Sequence, residues 1–241
     1  MLFFYIRHGD PIYTPDSLTP LGHAQAKALS KRLATYGLDK IYSSTSNRAI
    51  ETARPTCELL GLEPELLDFA HEDLTWRDFS VPSLHREGNT WIWAEPENQM
   101  LLTSKEMRDL GYNWYDHPAF VNYNFKNGME RVYNEADSFF ASLGFEHERY
   151  TGRYKVTRTN KDRVALFAHQ GFGLVFLSAI LDIPYPQFST HFDICHTGMT
   201  VIDFSEHLGY SIPRVLTLSL DSHIYKEGLP TRYNNSKELT F

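Results

Sequence analysis

Short apolar runs, each stopped by polar residues or glycine, recur along the chain and predict the strands of a sheet. The first run covers residues 3–6 and ends abruptly at Arg7, His8 and Gly9, as expected for a buried strand that delivers polar side chains to a sheet edge. Residues 62–75 are interpreted as a strand that ends near His71. Further strands are predicted over 39–44, 163–168, 199–204 and 215–220.

Apolar residues at helical spacing fill the intervals between these runs. A helix is predicted from Pro20, with Thr19 as its N-cap, to Gly37, and a second from about Asn47 to Leu60. Helices are also predicted over 129–143 and 173–181, and the alternating segment 153–159 is expected to turn back into 163–168 as a hairpin. The strand–helix–strand–helix opening predicts a three-layer α/β/α fold, with helices on both faces of a mostly parallel sheet.

The middle of the chain, residues 76–127, breaks this rhythm. It is rich in tryptophan and tyrosine and interspersed with proline, asparagine and glycine, with one short helix predicted over 104–110. We interpret it as an aromatic-rich cap inserted into a single domain spanning residues 1–241. The alternative is a second small core packed on the flank of the sheet.

Composition narrows the class of protein. The 241 residues are 42% hydrophobic and 22% charged, with a net charge of -7, which is typical of a soluble globular chain without a basic field for nucleic acid. No stretch reaches the roughly 18 apolar residues that a membrane span needs, and the apolar start is too short for a signal peptide. Two cysteines, Cys57 and Cys195, form no disulfide framework or C-x-x-C motif. We therefore expect a cytoplasmic protein; nothing in the sequence indicates its oligomeric state.

Phosphate-suited side chains follow three separate predicted elements. Arg7 and His8 end the first strand, Arg48 lies in the first turn of the second helix, and His169 ends the strand 163–168. Taken alone, the Arg7–His8 pair is better explained as an exposed strand end with a solvated arginine, and Arg48 alone as a solvated helix residue. Since ligands of open α/β sheets bind beyond the carboxyl ends of the strands, the three together predict an anion site at that edge.

Four motifs carry a resemblance to a known family. Arg7-His8-Gly9 resembles the signature of the histidine phosphatase superfamily, which has a phosphoglycerate mutase-like fold. The similarity covers about residues 1–75 and 163–205. The other three motifs are the run 43–53 (Ser-Ser, then Arg-Ala-x-x-Thr-Ala), the strand end 167–171 (His-x-Gly) and the helix opening at 19–26.

The resemblance implies a phosphoryl transfer that uses neither metal nor other cofactor. His8 would be the nucleophile, forming a phosphohistidine that water hydrolyses, while Arg7, Arg48 and His169 would bind the phosphoryl oxygens. The attacking imidazole must be neutral and held in one tautomer. A backbone carbonyl in the turn after His8 is the expected partner of its other ring nitrogen.

The resemblance also implies a glutamate that protonates the leaving alcohol. Glu72 occupies the corresponding place, with Asp73 as the alternative; two surface charges without a catalytic role are a further alternative. The family's usual glycine-rich continuation is replaced here by residues 75–79.

Other residues are weaker candidates. Asp10, Arg86, Trp91 and His223 are candidate substrate contacts, although capping or packing would also explain Asp10 and Trp91. His191, Cys195 and His196 do not form a closed set of metal ligands, so hydrogen-bonded or core roles are favoured and no metal site is predicted.

The sequence as a whole predicts a phosphomonoester hydrolase acting on a phosphorylated small molecule or a phosphoprotein. One alternative is a phosphoglycerate mutase, but this needs further cations around the pocket, and the middle segment is sparse in paired arginines or lysines. Another is a binding module that keeps the phosphate site without catalysis.

Overall fold

The computed structural model describes residues 1–231 and 233, so residues 232 and 234–241 of the predicted domain lie outside the described part. The strands are β1 (Leu2–Arg7), β2 (Pro11–Ile12), β3 (Ser17–Leu18), β4 (Lys40–Ser44), β5 (Glu65–Leu67), β6 (Ser80–Pro82), β7 (Asn89–Trp91), β8 (Phe145–Glu148), β9 (Arg153–Val156), β10 (Arg163–Ala168), β11 (Met199–Asp203), β12 (Glu206–His207), β13 (Tyr210–Ser211) and β14 (Arg214–Leu220). The helices are α1 (Pro20–Ala34), α2 (Asn47–Leu60), α3 (Glu72–Phe79), α4 (Pro96–Leu102), α5 (Lys105–Leu110), α6 (Phe125–Ser142), α7 (Gln170–Ile180), α8 (Tyr185–His191) and α9 (Ser222–Lys226).

The central sheet has the strand order β14-β11-β1-β10-β4-β5. Strand β1 pairs in parallel with β10, β10 with β4, and β4 with β5. Strand β11 is antiparallel to both of its neighbours, β1 and β14, and so is the one strand of this sheet that runs the other way. The predicted mostly parallel sheet is therefore confirmed.

Alternate side chains of β1 enter two separate cores. Phe3 and Tyr5 lie in the larger core, which also contains apolar residues of α6, α7 and α8. Phe4 and Ile6 lie in the smaller core, with residues of α1 and α2. Because successive strand residues point to opposite faces, this division places helices on both sides of the sheet and confirms the three-layer α/β/α fold.

Two helix ends follow the signals in the sequence. The Thr19 side chain accepts a hydrogen bond from the backbone N–H of Gly22 and so caps α1. Helix α2 ends at Gly61, which has a φ of 65°, the left-handed conformation that glycine adopts without a steric penalty.

The predicted strand over 62–75 is confirmed only for residues 65–67, where β5 lies, and is wrong for the rest. Strand β5 ends at Leu67, a 3-10 turn follows over Asp68–Ala70, and helix α3 begins at Glu72. The His71 side chain caps this helix by accepting from the backbone N–H of Asp73, and both acidic residues of the first turn favour a helix N-terminus.

The predicted hairpin between 153–159 and 163–168 is also wrong. Strand β9 pairs instead with β8 and β13 in a separate four-stranded antiparallel sheet. Both edges of β10 are already occupied by β1 and β4, so no ladder position remains for β9.

The segment 76–127 holds the end of α3, the β6–β7 hairpin, α4 and α5. The predicted short helix agrees with α5, whereas α4, which begins at Pro96, was not predicted. Several buried aromatic and aliphatic residues of this segment belong to the larger core rather than to a separate one. They are Ile92, Trp93, Leu102, Met107, Trp114 and Phe120.

In the part of the chain that the structure describes, no helix has the length and apolar character required to cross a membrane.

Candidate active site

The turn that follows β1 is pressed against the start of α1. The His8 N–H donates to the Ala168 carbonyl at 2.9 Å, and the Gly9 N–H donates to the Thr52 hydroxyl at 3.0 Å. A Cβ atom at Gly9 would lie 2.7 Å from the Gly22 carbonyl oxygen, so only glycine fits there. This close approach fixes the position of His8 at the carboxyl end of β1.

His8 is buried, with 1% of its surface exposed, and its ring orientation is fixed. Its Nδ1 atom lies 2.7 Å from the Gly9 carbonyl oxygen. Because a carbonyl only accepts, Nδ1 carries the proton and Nε2 keeps its lone pair. Burial lowers the pKa of His8 well below its ordinary value, and the nearby His169 and Arg7 lower it further. The imidazole is therefore neutral, as a nucleophile must be.

His169 lies beside His8 at the end of β10, with the two ring centres 5.2 Å apart. Its Nε2 atom is 2.8 Å from the Ser44 hydroxyl and 3.2 Å from that of Ser46. Burial lowers the pKa of His169 well below its usual range, and Arg48 adds to the shift. Among the described residues, its buried Nδ1 has no hydrogen-bond partner.

Ser44 and Ser46 were not predicted as separate contributors to the site. The signal for them was present in the run of serines at the end of β4, which lies next to β10 in the sheet. With its proton directed at Nε2, the Ser44 hydroxyl would leave the Nδ1 proton of His169 available to an anion.

Arg48 is buried in the first turn of α2 and contacts two carboxylates. One guanidinium nitrogen lies 2.7 Å from Asp16 Oδ1, and the other lies 3.2 Å from Glu72 Oε2. The ring of Tyr13 is 5.5 Å from the guanidinium carbon. Asp16 and Tyr13 come from the loop between β2 and β3, and no motif in that loop indicated their contact with Arg48.

Arg7 is buried on the other side of His8. One of its terminal nitrogens donates to the Ile194 carbonyl at 2.8 Å, and the other lies 2.8 Å from His196 Nε2. Burial lowers the pKa of Arg7 from its ordinary value, while the Glu72 carboxylate opposes this shift. Two guanidinium groups thus flank the imidazole pair.

The structure separates the two candidate acids. Glu72 Oε1 accepts from the backbone N–H of Gly171 at 2.9 Å, and Oε2 lies 3.6 Å from His169 Nδ1. The Asp73 side chain is 84% exposed, and its carboxylate lies 3.8 Å from His71. Glu72 therefore lies at the site, and Asp73 points to solvent.

Of the weaker candidates, Trp91 and Asp10 lie next to the site. The Trp91 ring packs on Gly171, since a Cβ there would meet ring carbons at 2.3 Å. Asp10 accepts from the Thr19 hydroxyl at 2.7 Å and lies 3.6 Å from His196 Nδ1. Both border the site.

Arg86 and His223 do not reach the site. Arg86 is exposed and donates to the Asn89 carbonyl within its own hairpin. His223 is buried behind the site and contacts the Thr197 hydroxyl through Nε2 at 2.9 Å. Burial lowers its pKa to about 4.

The charges of the site favour an anion. Possible ligand atoms of His8, Glu72 and His169 lie within 4.8 Å of one another, a spacing that would suit a metal ion. However, two buried guanidinium groups, those of Arg7 and Arg48, lie at the same site, and guanidinium groups match the tetrahedral oxygens of phosphate. The arrangement is best suited to binding a phosphoryl group next to a neutral imidazole.

Comparison with known proteins agrees with this chemistry. The family model of the histidine phosphatase superfamily (branch 1) matches residues 4–100. No curated protein matches the sequence.

Solved structures match over most of the chain. Phosphoserine phosphatase from Entamoeba histolytica, in complex with 3-phosphoglyceric acid, has a TM-score of 0.59 at 19% identity, covering 92% of this chain and 98% of that one. Mycobacterial glucosyl-3-phosphoglycerate phosphatase in complex with VO3 has a TM-score of 0.58 at 17% identity, with 90% and 98% covered. Alpha-ribazole phosphatase from Shigella flexneri has a TM-score of 0.57 at 16% identity, with 92% and 97% covered. At these identities the structures establish a common fold.

Proposed function

We propose that the chain is a histidine phosphatase that hydrolyses phosphomonoesters through a phosphohistidine on His8, since residues 4–100 match the family model of the histidine phosphatase superfamily. One observation carries this proposal. The neutral, buried imidazole of His8 has its Nδ1 proton held by the Gly9 carbonyl, so its Nε2 lone pair is available beside Arg7, Arg48 and His169.

In the first step, Nε2 of His8 attacks phosphorus and the bond to the ester oxygen breaks. Glu72, protonated, gives its proton to the departing alkoxide, so the alcohol leaves neutral and the carboxylate remains. In the second step, a water molecule attacks the phosphohistidine while Glu72 removes a proton from it. The bond to His8 breaks, inorganic phosphate leaves, and the starting state of both residues is restored.

The cationic groups stabilise the charge on the transferring phosphoryl oxygens. Arg7 and Arg48 offer guanidinium donors whose burial strengthens the interaction with an anion. His169 Nδ1, which has no hydrogen-bond partner among the described residues, would donate to a third oxygen. Arg48 contacts Asp16 and Glu72 in this structure, so an incoming phosphoryl group would compete with those carboxylates for its nitrogens.

The proposed substrate is a small phosphomonoester, and the alternative is a phosphoprotein. The structurally similar proteins named above are phosphatases of phosphoserine, glucosyl-3-phosphoglycerate and alpha-ribazole substrates. We also propose that segment 76–127 caps the site through Trp91, which touches Trp76 edge-on at 4.8 Å. This pair would accept an apolar or planar leaving group.

The proposed reaction uses no metal or other cofactor, since the phosphoryl charge is met by the side chains. We further propose a cytoplasmic location, which is consistent with two free cysteines, Cys57 and Cys195.

Phosphate release from a panel of monoesters tests the function, first without added metal and then with EDTA. We expect release from the wild type, loss of turnover in His8→Ala, and normal turnover in the control His191→Ala, which changes an exposed histidine on α8. Normal turnover in His8→Ala would contradict the assignment of the nucleophile. Interconversion of the two phosphoglycerates without net phosphate release would indicate a mutase, and binding of phosphate without any turnover would indicate an inactive module.

A further inference from the structure

His196 is a third histidine of the site, and the proposed reaction leaves it without a role. It lies in the loop between α8 and β11, with its ring centre 5.7 Å from that of His8. Its side chain is mostly buried, and Nε2 is 2.8 Å from a terminal nitrogen of Arg7.

The chemistry of this contact fixes the protonation of the ring. A guanidinium group has N–H donors and no acceptor. At 2.8 Å from an Arg7 nitrogen, His196 Nε2 must therefore be the acceptor and carry no proton. A neutral imidazole then bears its proton on Nδ1, which faces the Asp10 carboxylate at 3.6 Å. The negative charge of Asp10 stabilises this tautomer over the one with a proton on Nε2.

Asp10 is itself fixed in place. Its other carboxylate oxygen accepts from the Thr19 hydroxyl at 2.7 Å, and its backbone N–H donates to the Gln25 side chain at 2.8 Å. Both partners belong to the start of α1 or its cap. A series of contacts therefore runs from helix α1 through Asp10 and His196 to Arg7.

We propose that His196, oriented by Asp10, is a positioning residue that holds the Arg7 guanidinium against the phosphoryl group. The proposal rests on the function proposed above, because it assigns Arg7 to the substrate anion. His196 acts through Arg7 and does not itself react. A side chain without an acceptor at this point would remove the 2.8 Å contact with Arg7 and allow the guanidinium to turn away from the anion.

A pH effect follows from the same geometry. A proton on Nε2 would place an N–H against the N–H of Arg7, so protonation of His196 breaks the contact. Among the described residues, the charged and titratable groups around the ring include Arg7, His8 and Asp10. Cys195 and Asp221 line the same small cavity, and the charge of Asp193 acts on Arg7. The positive charge of Arg7 disfavours a protonated His196 ring, whereas the negative charges of Asp10, Asp193 and Asp221 favour it.

Two substitutions separate positioning from simple packing. His196→Gln keeps an acceptor within reach of Arg7 but does not titrate, whereas His196→Ala removes the acceptor. His207→Ala, an exposed histidine on β12, is the matched control. The probe is inorganic phosphate, with its dissociation constant measured by calorimetry on folded protein near neutral pH.

We expect His196→Ala to weaken phosphate binding about tenfold near neutral pH, the scale of one hydrogen bond to a charged group. His196→Gln and His207→Ala should bind within about twofold of wild type, by the same scale.

Unchanged phosphate affinity in His196→Ala would overturn the proposal, as would an equal loss of affinity in His196→Gln, which retains an acceptor. If the alanine variant does not fold, the glutamine variant still decides, because a tenfold loss of affinity despite its retained acceptor would contradict the proposal. Failure of the proposed function has a different signature, because a wild type that hydrolyses no monoester would still show the phosphate-binding differences. Where turnover is present, KM should rise more than kcat falls in His196→Ala.

Discussion

His147 provides a quantitative test of the electrostatics of this fold. It lies on β8 between two carboxylates, with Nδ1 2.8 Å from Asp137 of α6 and Nε2 3.1 Å from Asp182, which follows α7. The side chain is 1% exposed, and its ring stacks on Tyr154. Because both nitrogens face acceptors, the ring is stable there only as the doubly protonated imidazolium.

The size of the effect follows from the pKa. Burial alone would lower the pKa of His147, but the hydrogen bonds to Asp137 and Asp182 raise it from 6.5 to about 9. Since each unit is worth about 1.4 kcal/mol, the imidazolium contributes about 3 kcal/mol to the free energy of unfolding. A raised pKa makes this contribution complete below pH 6.5, and it is lost as the pH rises through about 9.

Urea denaturation between about pH 6 and about pH 9.5 measures this contribution. The perturbation is His147→Gln, which cannot become charged, with His207→Gln as the exposed control. The difference in free energy of unfolding between wild type and His147→Gln should shrink by about 3 kcal/mol over this range. A difference that stays constant with pH would refute the reasoning, because His147 would then be neutral in the folded protein.

Two further substitutions test the site and its border. Glu72→Gln should lower kcat by about 100- to 10,000-fold with poor leaving groups, as expected for loss of a general acid. Asp73→Asn should leave kcat unchanged, because that side chain is exposed. Equal losses of kcat in the two variants, measured by steady-state kinetics, would contradict the choice of Glu72 as the acid. Gly171→Ala should lower the free energy of unfolding by about 1–3 kcal/mol through its clash with Trp91. When Trp91 is also replaced by alanine, the Gly171→Ala substitution should no longer lower the free energy of unfolding measured by denaturation. An equal loss of stability with and without Trp91 would show that the clash is not with that ring.

The parts of the fold that sequence predicted are those with strong local signals. Strand β1 and helix α2 are apolar or amphipathic segments with clear ends, such as Gly61 with its left-handed conformation. The strand expected over 62–75 failed because its second half lacks such a signal. A side-chain cap from His71 starts a helix there, and that contact depends on the local backbone geometry.

The site could be predicted where motif residues follow the strands of the sheet. Parallel pairing of β1 with β10 brings His8 and His169 together, as their positions at the strand ends implied. The contacts of Arg48 with Asp16 and of Arg7 with His196 could not be predicted, because each joins a helix or strand residue to a loop distant in sequence. Such loop positions are set by the whole fold and leave no periodic pattern.

The central claim is that His8 carries the phosphoryl group during turnover, and direct detection of that adduct tests it. Wild-type protein would be mixed with a phosphomonoester for less than one turnover, quenched in alkali, which preserves phosphohistidine, digested and analysed by mass spectrometry. We predict one phosphoryl group on the peptide that contains His8, at Nε2, and none in His8→Ala. Steady phosphate release with no phosphoryl group on His8 at any time during turnover would contradict the account.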